Sequence, residues 1–172
     1  MKKLYVVGSR TSKSLSPTIF NYWFKKYNIK ASYGYLELTE KNFHKKINEV
    51  LKRKDTLGLN VTIPFKNKII KHLGKIDAHA KKIGAVNCVT NKKTINGTNT
   101  DWTGYYKTLP NIKKTKNRKV IILGYGGASH AIHYVLKKRG FKDILIFNRS
   151  KKKIKYSNKT QFTKTYSDLE TH

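Results

Sequence analysis

The 172-residue chain carries 38 Lys and Arg against 9 Asp and Glu, a formal net charge of +29. This length is enough to bury a core, and 11 Tyr, 7 Phe and 2 Trp favour a globular fold over a disordered one. The single cysteine, Cys88, excludes an internal disulfide and a cysteine-based zinc set, which fits a reducing compartment. Because the start lacks the apolar run of a signal peptide and no segment approaches membrane-spanning length, we expect a cytoplasmic protein.

The extreme positive charge by itself indicates an anionic partner such as nucleic acid. A basic nucleic-acid-binding module would gather its cations on one face, with aromatic residues available for stacking on bases. Here the lysines are spread over the whole chain, and the aromatic residues fall at predicted core positions of helices and strands. We therefore attribute the positive charge to a lysine-rich compositional bias and expect no nucleic-acid partner. A basic nucleic-acid-binding module is the alternative function from another class of protein.

Strands and helices alternate along the first two thirds of the chain. A strand at Leu4–Val7 precedes a polar loop, and Ser16-Pro17 then suits the start of a helix, with serine as N-cap and proline in the first turn. The apolar face of this helix is predicted to comprise Ile19, Tyr22, Trp23 and Tyr27. The elements predicted next are a strand at 33–38, a helix after Thr39, a strand at 57–61, a helix from Pro64, a short helix at 77–82, strands at 85–90 and 94–97, and a helix at 102–109. This alternation is typical of an α/β layer with parallel strands, and we expect residues 1–110 to form a three-layer α/β domain.

A second α/β segment follows the polar stretch 111–118, which we interpret as a linker. Its predicted elements are a strand at 119–123, a glycine-rich turn at 124–127, a helix at 130–139 and a strand at 143–147. A strand, glycine turn, helix and strand in this order open a dinucleotide-binding fold, where the turn brings pyrophosphate close to a helix N-terminus. Ser129 stands where such turns usually carry a third glycine. The predicted domains are therefore 1–110, a linker at 111–118, and 119–172 as a partial Rossmann domain.

The end of the second strand of this fold indicates which nicotinamide cofactor is preferred. Enzymes that use NAD carry Asp or Glu there for the ribose hydroxyls, whereas this chain has Asn148 and Arg149, with Lys153 close behind. Cations at this point suit a 2′-phosphate, so NADP(H) is the predicted cofactor. The alternative is that Arg149 and Lys153 belong to the general excess of basic residues.

The candidate catalytic group is Lys66, at a strand-to-helix corner that also holds Asn60 and Thr62. A strand end is a rigid mount that can hold a lysine against a substrate, although a surface lysine after a turn is the simpler alternative. Asp101 makes a sensible acid–base partner for Lys66, and it is equally consistent with a helix N-terminal residue. Another polar candidate is Asn87, which is flanked by glycine turns. Ser14 and Ser16 are candidates because two hydroxyls suit a carboxylate. The alternative is helix capping, which explains Ser16 but not Ser14. The histidines show no metal-ligand spacing, so we expect no metal.

Several of these motifs resemble those of the shikimate dehydrogenase family. The substrate-domain motifs that resemble the family are Ser14-Leu15-Ser16-Pro17, Asn60-Val61-Thr62-Ile63-Pro64-Phe65-Lys66, Gly84-Ala85-Val86-Asn87 and Asn99-Thr100-Asp101. The segments similar to its NADP-binding motifs are Gly124-Tyr125-Gly126-Gly127-Ala128 and Asn148-Arg149-Ser150 with Lys153. Cys88 departs from the threonine usual after the asparagine. The resemblance covers nearly the whole chain.

The resemblance implies reversible NADPH-dependent reduction of 3-dehydroshikimate to shikimate, in aromatic amino-acid biosynthesis. It implies that Ser14 and Ser16 bind the substrate carboxylate, and that Lys66 and Asp101 carry the proton transfer. It further implies that the ring hydroxyls are bound by Asn60, Thr62, Asn87 and Asp101. Its implied cofactor-binding residues are Gly124, Gly126, Gly127, Ala128, Asn148, Arg149, Ser150 and Lys153. The expected partners are the small-molecule substrate and NADP(H), with no membrane, for a monomer or homodimer.

Length separates this chain from the family, whose members continue for roughly another hundred residues, typical of the second half of a two-domain enzyme. We therefore expect a fragment or truncated product that is competent to bind substrate at best and poorly active. A quinate/shikimate dehydrogenase is the alternative within the family, and a non-catalytic remnant is a third possibility.

Overall fold

The computed structural model describes residues 1–110, 118–154 and 162–171. The chain divides into two compact units. The first comprises Met1–Ala80 and Val86–Thr98, and the second comprises Lys81–Ala85 and Asn99–His172. The α/β architecture predicted from the alternation of strands and helices is confirmed.

A six-stranded sheet in the order β2-β1-β3-β5-β6-β4 forms the framework of the first unit. Its strands are β1 Lys2–Gly8, β2 Ala31–Glu37, β3 Thr56–Val61, β4 Lys75–Ile76, β5 Cys88–Asn91 and β6 Ile95–Thr98. Strand β1 pairs in parallel with β2 and β3, whereas β5 pairs antiparallel with both β3 and β6. The sheet is therefore mixed: the predicted parallel pairing holds among β1, β2 and β3 and between β4 and β6, whereas β5 runs antiparallel to both of its neighbours.

The core of the first unit lies on the face of the sheet covered by helix α2, Phe43–Lys52. The predicted helical stripe of α2 is confirmed, since Phe43, Ile47, Val50 and Leu51 are all buried. They pack with Leu59, Val61, Phe65 and Ile69 from β3 and the segment after it. Helix α3, Ala78–Ile83, ends before Gly84, whose φ of 65° explains the glycine there.

Helix α1, Ser16–Lys26, begins at the predicted place but presents a different face to the sheet. The prediction that Ile19, Tyr22, Trp23 and Tyr27 form its buried stripe is wrong, because all four are exposed. Phe20 instead stacks on the buried ring of Tyr33 in β2 at 4.8 Å. The helix carries apolar residues around more than one face, so periodicity alone does not select the side that packs.

The prediction of a helix that starts at Pro64 is also wrong. Only a short 3-10 helix forms, at Lys68–His72, and Pro64 lies in the turn that precedes it. The segment is held by the burial of Phe65 and Ile69, four residues apart, against the core of α2. Burial of these two side chains, and not a long hydrogen-bonded helix, fixes this stretch.

The second unit contains the predicted strands with unchanged bounds, β7 Lys119–Leu123 and β8 Asp143–Phe147, paired in parallel. Helix α5, Gly127–Lys138, connects them and begins three residues earlier than predicted. An isolated parallel β-bridge pairs Phe147 with Lys164, and a 3-10 helix spans Tyr166–Thr171. This strand–helix–strand arrangement is the start of a Rossmann-like fold.

Helix α4, Asp101–Thr108, belongs to the second unit, although the predicted domain boundary lies after it. Its Trp102 packs edge-on against Tyr134 of α5, with ring centroids 5.9 Å apart, beside a cluster of Ile83, Ala85 and Ala131. Of the predicted linker at 111–118, residues 111–117 lie outside the described residues. Among the described helices, none has the length and apolar character needed to cross a membrane.

Candidate active site

A polar cavity of about 500 Å³ opens in the first unit. Six of the seven residues predicted to contact substrate line it: Ser14, Ser16, Asn60, Thr62, Lys66 and Asn87. They come from three separate stretches of the chain, which the order of the strands brings together. All six side chains are half-buried, as expected for groups that must meet a ligand and still be held by the protein.

The loop after β1 supplies the two serines and is held in shape by Glu37 of β2. The Glu37 carboxylate accepts hydrogen bonds from the backbone N–H of Thr11 at 2.9 Å and of Ser12 at 3.1 Å. These hydrogen bonds, first that of Ser12 and then that of Thr11, lower the pKa of the Glu37 carboxyl group. The loop is therefore anchored to the sheet by an ionised carboxylate.

The predicted capping role of Ser16 is wrong. Helix α1 starts at Ser16 with Leu15 as its N-cap residue, and it is the Ser14 hydroxyl that accepts from the Ser16 backbone N–H, at 3.2 Å. The Ser14 hydroxyl therefore contacts the first residue of α1 without being its N-cap, and both serines line the cavity.

Lys66 is fixed through its main chain on both sides. The residue before it, Phe65, is fully buried and stacks on Phe43 with ring centroids 4.2 Å apart. The Lys66 carbonyl accepts a 2.7 Å hydrogen bond from the N–H of Val86. Lys66 therefore lines the cavity from a backbone with little freedom to move.

Asn87 lies where the central strands converge. Its N–H donates to the carbonyl of Thr98 at 3.1 Å, and its own carbonyl accepts from Val61 at 2.8 Å. Both contacts are long-range along the chain, so the side chain of Asn87 reaches the cavity from a doubly tied backbone.

Asp101 lies in the second unit, as the first residue of α4. Its N–H donates to the side-chain oxygen of buried Asn99 at 3.0 Å, and the Asn99 amide donates to the carbonyl of Ala85 at 2.9 Å. Asn99 therefore fixes the helix start and leaves the Asp101 carboxylate in the first turn.

The cavity also contains residues that sequence reasoning missed, namely Arg10, Thr11, Lys13 and Phe20. The two cations are significant because they sit in the same loop as the serines and suit a bound carboxylate. Their position between β1 and the helix start was a signal, but the overall excess of basic residues concealed it.

The glycine-rich turn joins β7 to α5. Gly124 has a φ of 92°, a conformation that L side chains rarely adopt, and the exposed Gly126 precedes the first turn of the twelve-residue helix. A Cβ added to Gly126 would meet no heavy atom of the described residues within 4 Å. The helix N-terminus therefore faces open space next to Gly127 and Ala128, which suits an anionic group.

Asn148, Arg149 and Ser150 follow β8 at the same end as this turn. The side chain of Asn148 links the glycine-rich turn to the segment after β8. Its oxygen accepts a hydrogen bond from the N–H of Tyr125 at 3.0 Å, and its amide donates to the carbonyl of Ser150 at 2.8 Å. Arg149 is exposed, and the backbone of Lys153 forms an isolated antiparallel β-bridge with Phe162. Lys152, which sequence reasoning missed, reaches the carbonyl of Tyr125 in the turn at 3.5 Å.

No cluster of three or more potential metal ligands occurs in the described part of the chain. The fold and the cavity define a class: α/β proteins in which a unit with a small-molecule site is followed by the start of a dinucleotide-binding fold.

A family model for the shikimate dehydrogenase substrate binding domain matches residues 6–89. The shikimate dehydrogenase (NADP(+)) of Aquifex aeolicus is 40% identical over 151 residues, which cover 86% of this chain and 55% of that protein. The crystal structure of shikimate dehydrogenase 1 from Peptoclostridium difficile is similar with a TM-score of 0.84 and 31% identity, over 99% of this chain and 63% of that one. A shikimate 5-dehydrogenase from Thermus thermophilus, crystallised with NADP(H) and shikimate, is similar with a TM-score of 0.71 and 27% identity, over 87% of this chain and 57% of that one.

The chain is thus similar to shikimate dehydrogenases over most of its length, and its residues 6–89 match the substrate binding domain of that family. It spans about half the length of the curated relatives it matches, 55% in the Aquifex aeolicus protein.

Proposed function

We propose that the first unit binds shikimate and 3-dehydroshikimate, and that the chain contributes to their NADPH-dependent interconversion, an oxidoreductase reaction at a CH–OH group. One observation carries the proposal: six residues of the predicted substrate set line one cavity of about 500 Å³. A cavity of this size suits a small cyclic acid. We further propose that residues 1–110 form the substrate domain and that the nucleotide domain begins at residue 119. The proposed protein is cytoplasmic and is a monomer or homodimer.

The cavity offers suitable partners for each polar group of such a substrate. The Ser14 and Ser16 hydroxyls, with the cations of Arg10 and Lys13 in the same loop, suit the carboxylate. The side chains of Asn60, Thr62 and Asn87 supply hydrogen bonds to ring hydroxyls.

Lys66 is the proposed proton donor and acceptor at the reacting ring oxygen. Asp101 is the second residue proposed to take part in this proton transfer, as the resemblance to the family implies. When bound, the nicotinamide cofactor supplies or accepts the hydride. The protein's own contribution is to hold the substrate in place and move one proton.

NADP(H) is the proposed cofactor, and the second unit fits it. The open N-terminus of α5, at Gly126 and Gly127, suits a pyrophosphate. Exposed Arg149 at the end of β8 suits a 2′-phosphate. The relative from Thermus thermophilus crystallised with NADP(H) and shikimate supports the same pair of ligands.

Replacing Lys66 with alanine is expected to weaken shikimate binding about 10- to 100-fold, because a hydrogen bond from a charged group contributes roughly 1.5–3 kcal/mol. Isothermal titration calorimetry of the purified chain with shikimate measures this effect. The matched control is Lys71→Ala, which removes the same charge from an exposed position outside the cavity. Equal losses in both variants would show a general charge effect, and no binding by the folded wild-type chain would overturn the proposal.

Replacing Arg149 with alanine is expected to weaken NADP⁺ binding about tenfold and leave NAD⁺ binding unchanged, since only NADP⁺ carries the 2′-phosphate that a guanidinium can bind. Titration of the wild type and the variant with both cofactors measures the difference. The exposed residue Lys142, at the opposite end of β8, provides the control variant Lys142→Ala. A wild-type chain that binds both cofactors equally would contradict the assignment to NADP(H).

A further inference from the structure

We propose that Tyr33 is a positioning residue that sets the orientation of the Asn60 side chain, so that Asn60 presents its amide N–H groups to the substrate. The inference rests on the proposed function, because it states which kind of substrate atom Asn60 recognises. Tyr33 does not line the cavity, and sequence reasoning gave it no role beyond a strand residue.

The key contact joins the two side chains directly. The Tyr33 hydroxyl donates to the Asn60 side-chain oxygen at 2.7 Å. Burial, with a smaller effect of Cys88, raises the pKa of the Tyr33 hydroxyl to about 12, so the group stays protonated and donates. Because the amide group is planar, engaging its oxygen on one side directs the NH₂ group to the other.

Tyr33 is itself held by three contacts from two residues of α1. The side chain of Asn21 in α1 donates to its carbonyl and accepts from its N–H, both at 2.9 Å. Its ring stacks on Phe20 with an interplanar angle of 10°. These contacts cover the outer backbone edge of β2, which is the edge strand of the sheet. The hydroxyl therefore stays at a fixed point, as an orienting group must.

The register of the sheet explains why a tyrosine is needed at this place. Asn60 lies opposite Val6 of β1, and Val6 lies opposite Tyr35 of β2. Tyr33, two residues before Tyr35, therefore projects from the same face of the sheet as Asn60, with β1 between them. The tyrosine side chain, with its terminal hydroxyl, is long enough to reach across two strand spacings, about 10 Å in total.

The consequence concerns recognition in the cavity. With its oxygen engaged by Tyr33, Asn60 offers hydrogen-bond donors, and these suit a ring oxygen of the substrate. A hydroxyl oxygen and a ketone oxygen both accept hydrogen bonds, so the same donor serves the oxidised and the reduced ring. Without the tyrosine hydroxyl, the amide can turn and present its oxygen instead.

The test combines Tyr33→Phe, which keeps the ring and its stacking, with Asn60→Ala and the double variant. Calorimetric titration with shikimate is expected to show about tenfold weaker binding for Tyr33→Phe, and no additional loss when Tyr33→Phe is added to Asn60→Ala. The matched control is Tyr5→Phe on the neighbouring strand, since Tyr5 projects from the opposite face. An undiminished effect of Tyr33→Phe in the Asn60→Ala background would overturn the proposal.

A measurement without ligand separates this inference from the proposed function. In ¹H–¹⁵N spectra, the side-chain amide signals of Asn60 are assigned by their loss in Asn60→Ala. Tyr33→Phe is expected to move these signals toward those of a solvated asparagine, and Tyr5→Phe is expected to leave them unchanged. Unchanged Asn60 signals in Tyr33→Phe would overturn the positioning role. If Tyr33→Phe shows the shift but the wild-type chain binds no shikimate, the proposed function alone is overturned.

Discussion

Replacing Phe65 with alanine is expected to lower the free energy of unfolding of the first unit by about 3–5 kcal/mol. The side chain is fully buried, stacks on Phe43 and belongs to the core under α2. Its removal loses the transfer free energy of the ring and leaves a cavity that close-packed neighbours fill only in part. Against a typical total of about 5–15 kcal/mol, the loss leaves the unit marginally stable.

Urea denaturation followed by tryptophan fluorescence measures this loss for one unit at a time. The chain has two tryptophans, Trp23 in the first unit and Trp102 in the second, so a Trp102→Phe background reports the first unit alone. The control is Ile63→Ala, two residues away and 67% exposed, which is expected to change stability by less than about 0.5 kcal/mol. A Phe65→Ala effect as small as that of the control would contradict the packing described for this corner.

The same substitution bears on the site, because Phe65 directly precedes Lys66. Loss of the buried ring releases the backbone that holds Lys66 at the cavity. The Phe65→Ala molecules that stay folded are therefore expected to bind shikimate more weakly than the wild type. Phe65→Leu, which keeps a large apolar side chain, is expected to bind shikimate more tightly than Phe65→Ala.

Acidification is expected to destabilise the second unit by about 2 kcal/mol between pH 6.5 and pH 4. Burial, with a smaller effect of Lys137, lowers the pKa of His133 to about 4. In the unfolded chain the pKa is near 6.5, so the unfolded state takes up a proton first as the pH falls. The stability is fully present above about pH 6.5 and is lost toward pH 4. The full shift corresponds to about 3 kcal/mol, and partial screening by solvent reduces it.

Unfolding of a Trp23→Phe background at several pH values measures this slope through Trp102 in the second unit. His133→Leu is expected to remove most of the slope, because a leucine buries without titrating. Lys137→Gln is the graded control and should reduce the slope only in part, since burial is the larger cause of the shift. A His133→Leu variant with the slope of the wild type would show that another group controls the acid response.

Elements with a strong local signal were predicted well. Strands β7 and β8 have the predicted bounds because each is a short apolar run ended by a glycine or a polar residue. Helix α2 has its apolar residues in one stripe, so its buried face followed from spacing alone. In α1, by contrast, Phe20 and Trp23 are neighbours with ring centroids 5.5 Å apart, and only packing against β2 selects Phe20 as the residue that contacts the sheet.

The order of residues along the chain was sufficient to indicate the α/β class, the glycine turn before α5 and the candidate polar groups of the site, because these depend on neighbours close in sequence. It did not reveal that Arg10 and Lys13 share a cavity with Asn87, or that Tyr33 contacts Asn60 across β1. Those contacts join residues far apart in the chain, and they exist only once strand order and register are set. Burial of one face of each strand and helix decides that register, so the tertiary structure alone determined which side chains meet.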